Sequence, residues 1–73
     1  MRIALIENTD CMARLVLVDG EWVGNVDFCY SGSAWHRVET RDRKVVGYVK
    51  RSLPVEGYTV TVAEMLGAYD RAA

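Results

Sequence analysis

The sequence predicts an α+β fold: an antiparallel β-meander of about five strands, with one C-terminal helix packed on one face of the sheet. Three observations predict it. Through roughly the first fifty residues, β-branched and aromatic side chains recur in short runs separated by turn residues, the pattern of half-buried strands. Some residues after Pro54, the apolar period lengthens to that of an amphipathic helix. Length and composition close the frame, because 73 residues, 51% hydrophobic and 26% charged, make a globular chain with room for one domain.

Residues 2–7 read as the first strand, and Asn8, Thr9 and Asp10 as a turn whose short side chains bond the local backbone. Residues 11–18 read as the second. Asp19-Gly20 then separates the run Leu15 to Val18 from Trp22 and Val23, the strongest hairpin signal in the chain, since Gly accepts the positive φ of a tight turn. The third strand, residues 21–30, alternates cleanly. Trp22, Gly24, Val26, Phe28 and Tyr30 share a face expected to be buried, while Glu21, Asn25 and Asp27 share the other with Val23 and Cys29.

Ser31-Gly32-Ser33 reads as a turn, residues 34–41 as the fourth strand, Asp42-Arg43 as a second hairpin tip and residues 44–51 as the fifth strand. Alternation weakens here. Trp35 shares a face with Arg37, Glu39 and Arg41, and Tyr48 shares one with Val46 and Lys50, so these strands are expected to be peripheral or functional. A short extended piece around Tyr58 to Val60 leads to the helix. Thr61 and Glu64 fit a capping box with Val60 and Met65 as its hydrophobic staple, and Val62, Met65, Leu66 and Tyr69 form one stripe, which places the helix over residues 62–72. Gly67 then either costs the helix up to about 1 kcal/mol or lets it approach the sheet closely.

The chain carries few of the patterns that chemistry needs. No apolar run approaches the roughly 18 residues of a membrane span, and Glu7 interrupts the start too early for a signal peptide, so a cytoplasmic protein is expected. Cys11 and Cys29 lack disulfide-framework spacing and are expected to be reduced thiols in the core. His36 is the single histidine, and no third group is in evidence to orient it against Cys29 as a nucleophile pair. Cys11, Cys29 and His36 are not at metal-ligand spacing, and no Gly-rich phosphate loop is present, so no metal and no cofactor is expected. Glu39 and Asp42 flank a hairpin tip, where solvated carboxylates are ordinary.

Charge distribution is the most informative feature. The formal net charge is only -1, but residues 37–51 hold six basic residues against the two acids Glu39 and Asp42, a balance of +4. Acidic residues dominate on either side. Trp35, Arg37, Arg41, Arg43, Lys44, Tyr48, Lys50 and Arg51 are therefore the candidate partner-binding residues. Cations there could simply guard a sheet edge against aggregation, anchor an acidic protein surface together with the aromatic rings, or bind phosphates while the rings stack on bases.

A stand-alone domain of this size, without catalytic or metal motifs, resembles the small proteins that phages and other mobile elements encode, of which anti-CRISPR proteins are the best-known group. That resemblance is one of type, and it implies surface occlusion of a host protein or ribonucleoprotein complex. The expected function is thus a small non-enzymatic protein-binding module, with the resemblance implying an inhibitor of that kind, and RNA or single-stranded DNA binding through the same hairpin is the alternative. A homodimer is also expected, because an open five-stranded sheet has two edges and one helix covers a single face.

Overall fold

The computed structural model describes residues 1–8, 13–28 and 34–69. Five strands run in order, β1 (Ile3–Glu7), β2 (Ala13–Val18), β3 (Glu21–Asp27), β4 (Trp35–Glu39) and β5 (Val45–Lys50), and α1 (Val55–Met65) follows. Every neighbouring pair is antiparallel and the strands lie in the sheet in chain order, so the expected meander with one helix is what forms. Both Cys11 and Cys29, Tyr30, the turn at residues 31–33 and the last residues of the expected helix lie outside the described residues.

The core is a row of valines. Val16, Val26, Val38 and Val49, one from each of β2 to β5, point to the same side of the sheet and pack against Tyr58 and Val62 of α1. Ile3 and Leu5 of β1 and Met65 and Leu66 at the helix end flank them. At about 25 cal/mol per Å² of apolar surface, such a single layer supplies a few kcal/mol of net stability after chain entropy is subtracted.

The helix lies seven residues earlier than the periodicity indicates. Pro54, at φ -55° and ψ 150°, is the N-cap: its backbone is extended, and its carbonyl accepts the first intrahelical bond, from the Tyr58 N–H at 2.9 Å. Tyr58 to Val60 are accordingly helical and not extended. Thr61 sits inside the helix, and its hydroxyl donates back to the Gly57 carbonyl at 2.7 Å in place of capping an N-terminus. Gly67 is the terminator. It adopts φ +70°, its N–H donates to the Glu64 carbonyl at 3.0 Å, and the Ala68 N–H donates to the Ala63 carbonyl at 2.9 Å, the paired bonds of a Schellman ending. A Cβ at Gly67 meets nothing within 4 Å, so close approach to the sheet is not its role.

Two β-bulges decide which side chains face away from the helix. Val16 pairs with Gly24 but Leu17 pairs with Trp22, so Val23 is an extra residue and the alternation of β3 shifts across it. Trp22 therefore shares a face with Leu17, opposite the core, and is 42% exposed where strict alternation buries it. Gly24, Val26 and Phe28 keep the helix side. In β5, Val38 pairs with Gly47 and Glu39 with Val45, so Val46 is the extra residue and Val45 takes the place beside Tyr48 that Val46 was expected to hold. Gly24 also answers a packing need, since a Cβ there stands 2.5 Å from the Glu39 carbonyl oxygen and 2.6 Å from Leu66 Cδ2.

Candidate functional site

Among the described residues the helix covers one face of the sheet and no element covers the other. Following the registers across that open face, Ala4 and Ile6 lie on β1, Leu15 and Leu17 on β2, Trp22, Asn25 and Asp27 on β3, Trp35, Arg37 and Glu39 on β4, and Val45, Tyr48 and Lys50 on β5. The centre is an ionic cluster. Arg37 donates from Nη2 to Asp27 Oδ2 at 2.6 Å, and its Nε lies 2.8 Å from Glu39 Oε2. Register brings them together, because Asp27 pairs with Arg37 across β3 and β4 while Glu39 lies two residues along the same strand. Both carboxylates are well covered, at 13% and 8% side-chain exposure against 26% for the arginine.

Aromatic rings stand on either side of this cluster. Toward β5, Trp35 pairs with Lys50, whose ammonium lies 5.8 Å from the ring centroid, and Tyr48 pairs with Arg37, so Trp35 and Tyr48 are diagonal neighbours. Toward the hairpin tip, Arg41 lies 5.6 Å from the Trp22 ring centroid. The Trp22 indole donates to the Gly24 carbonyl at 2.9 Å and to Asn25 Oδ1 at 3.1 Å. These bonds tie the indole to the backbone beside the bulge and help explain why Asn25 is buried, a position its alternation assigned to the polar side.

The tip itself is tightly bonded. The Thr40 carbonyl accepts the Arg43 N–H at 3.0 Å, Thr40 N–H donates to the Lys44 carbonyl at 2.8 Å, and Arg43 takes φ +68° to close the turn. The Thr40 hydroxyl donates to the Asp42 carboxylate, which holds that carboxyl below the ordinary range. Arg41, Arg43 and Lys44 are exposed around it.

The basic residues of the hairpin therefore fall in four places and not one patch. Arg37 is engaged by two carboxylates, Arg41, Arg43 and Lys44 gather at the tip, and Lys50 stands with Trp35 at the far end of β4 and β5. Arg51 belongs to the helix side, where its charge acts on His36. Of the eight residues picked from the sequence, Trp35, Arg37, Tyr48 and Lys50 share the open face. Trp22, Ile6 and Val45 join them there unforeseen. A glycine inside a strand, Gly24, was the available signal for the bulge that turns Trp22 outward.

On the covered face, His36 is sandwiched between Phe28, at 4.4 Å between centroids, and Tyr58, whose hydroxyl is 2.8 Å from Nδ1. Burial, and then the charge of Arg51, push the His36 pKa below its usual 6.5, which favours the neutral ring, and Nδ1 shares a hydrogen bond with the Tyr58 hydroxyl whose direction follows the imidazole tautomer. Burial likewise pushes Tyr58 up to about 12, with the nearby charge of Arg14 opposing it. A depressed histidine pKa means that the unfolded chain binds more protons, so stability is full above 6.5 and falls as pH drops below it. Thermal unfolding is expected to come earlier at about pH 5 than at about pH 8, and this difference is expected to shrink in His36→Gln. An equal pH dependence in the variant contradicts the assignment.

Among the described residues no cluster of His, Cys, Asp and Glu could hold a metal ion, and no helix is long and apolar enough to cross a membrane. Compared with known proteins, the chain matches no family model, and no curated protein or solved structure is found to be similar to it.

Proposed function

We propose that this chain is a non-enzymatic protein-binding module that docks an acidic protein surface on the open face of its sheet. One observation carries the reading. Of the nine large hydrophobic residues exposed among the described residues, five lie on that single face: Ile6, Trp22, Trp35, Val45 and Tyr48. Exposed apolar residues scattered singly need no explanation, but an uncovered sheet face that gathers aromatics beside cations has the make-up of an interface. Trp35 and Tyr48 are the anchors, and Lys50 and Arg41 are the flanking cations that steer an acidic partner. A rigid face of this kind acts by occlusion, which suits an inhibitor of a cytoplasmic host complex of the anti-CRISPR sort.

Nucleic acid is the less favoured occupant. A phosphate backbone crossing from Trp35 to Trp22 passes over Asp27 and Glu39, two carboxylates that share one guanidinium, and the β1 and β2 part of the face offers the apolar Ala4, Ile6, Leu15 and Leu17 with Arg2 as the cation at its end, beside Asp19. Capture from a lysate of the source cells, with and without nuclease, compares the wild type with Trp35→Ala/Tyr48→Ala. A protein retained after nuclease and weakened about thirtyfold or more by the double substitution is the expected result. Retention that nuclease abolishes, with a steep loss of binding as salt rises, replaces this reading with nucleic-acid binding.

A further inference from the structure

β5 leaves a second surface open, its outer edge. It is a terminal strand of the sheet. Arg51 N–H donates to the Ala34 carbonyl at 2.9 Å, which sets the phase of the ladder: Gly47, Val49 and Arg51 turn their main-chain groups toward β4, while Tyr48 and Lys50 turn theirs outward. The Lys50 carbonyl is taken by the Leu53 N–H at 3.2 Å, so the outward strip comprises the Tyr48 main-chain groups and the Lys50 N–H. The side chains of Val45, Val46 and Tyr48 in β5 are each more than 40% exposed. An exposed apolar edge is a template on which another strand pairs.

We propose that this edge takes an extended acidic segment of a partner protein as a sixth strand. Charge selects the occupant. Residues 43–51 contain Arg43, Lys44, Lys50 and Arg51 and no Asp or Glu, so cations bracket a neutral, apolar middle. A complementary strand has carboxylates at both ends and β-branched residues between them; its main chain supplies the binding and its alternate side chains the selectivity. A second copy of β5 is a poorer match, because in any register it brings the same four cations and no carboxylate to the edge, and in the register about Gly47 it sets Lys44 of each copy opposite Lys50 of the other. The proposal rests on the reading of the chain as a protein-binding module and says how the partner joins: the added strand extends the open face beside Tyr48 and Val45.

The probe is a labelled synthetic peptide of alternating valine and threonine with two glutamates at each end, titrated against the whole chain while amide exchange is followed residue by residue. Saturable binding is expected, with exchange at the Tyr48 and Lys50 amides slowed about tenfold. Methylating the peptide nitrogens that face β5 is expected to weaken binding about fivefold or more, since each lost main-chain bond counts. Lys44→Glu/Lys50→Glu, at exposed positions that leave the fold intact by circular dichroism, is expected to weaken it about tenfold. Absence of saturable binding, indifference to N-methylation, or protection of β1 in place of β5 overturns the proposal, as does equal protection of β5 by a single-stranded oligonucleotide. Loss of peptide binding while a Trp35-dependent protein partner is retained rejects the edge alone. Peptide binding without any Trp35-dependent partner rejects the open-face reading alone.

Discussion

Gly24→Val is expected to remove about 3 kcal/mol of stability, enough to lower the melting temperature of a domain this size by about 12–24 °C. Even the first added atom has nowhere to go, since a Cβ at Gly24 lies 2.5 Å from the Glu39 carbonyl oxygen and 2.6 Å from Leu66 Cδ2. Leu66 can rotate or be shortened, but the carbonyl belongs to the backbone of β4 and retreats only if β4 parts from β3 next to the Asn25 and Glu39 pair. Gly24→Ala is expected to show the same effect in smaller measure, about 1–3 kcal/mol. Thermal and urea unfolding measure both. Adding Leu66→Ala to Gly24→Ala is expected to restore only part of the loss; full restoration contradicts the β4 backbone as the main obstacle.

Arg37→Met is the second large effect, expected at about 2–3 kcal/mol. The methionine keeps much of the side-chain volume but leaves the Asp27 and Glu39 carboxylates, both largely covered, without the guanidinium that lies between them. Removing one partner of a fully buried pair costs about 3–5 kcal/mol, and the partial exposure of Arg37 reduces that figure through solvent screening. The control is Arg37→Met with Asp27→Asn and Glu39→Gln together, which removes the uncompensated charge and is expected to recover most of the stability. A triple variant no more stable than Arg37→Met shows that packing and not charge sets the cost. The comparison bears on function too, because an arginine committed to two carboxylates contributes rigidity to the open face more than it offers a free cation to a partner.

Much of the architecture was legible in the residues. Asp19-Gly20 does form a turn with both residues at positive φ, 51° and 85°, and Asp42-Arg43 does sit at the second hairpin tip. The helix was misplaced because two kinds of boundary signal competed. Thr61 and Glu64 have the spacing of a capping box, yet the chain uses Pro54 to start and Gly67 to stop, the common asymmetry of proline at the beginning and glycine past the end. Gly57 inside the first turns lowered the helical signal where the helix in fact begins.

The open face was only half legible, for a different reason. Period-two alternation identifies faces until a bulge inserts a residue, and each of the two bulges here falls in a strand that carries an outward aromatic, Trp22 in β3 and Tyr48 in β5. Summing charge along residues 37–51 likewise merges groups that the pleat separates, sending Lys50 to one side of the sheet and Arg51 to the other. Linear charge therefore located the hairpin without locating the face.

Both tryptophans of the chain, Trp22 and Trp35, lie on that face, so they report on it directly. The measurement is fluorine NMR of the chain labelled with fluorotryptophan, free and mixed with whatever protein the capture retains after nuclease. The Trp35 resonance is expected to shift and lose its solvent isotope effect on binding. A Trp35 resonance that keeps its free position and its solvent exposure in the complex contradicts docking through the open face.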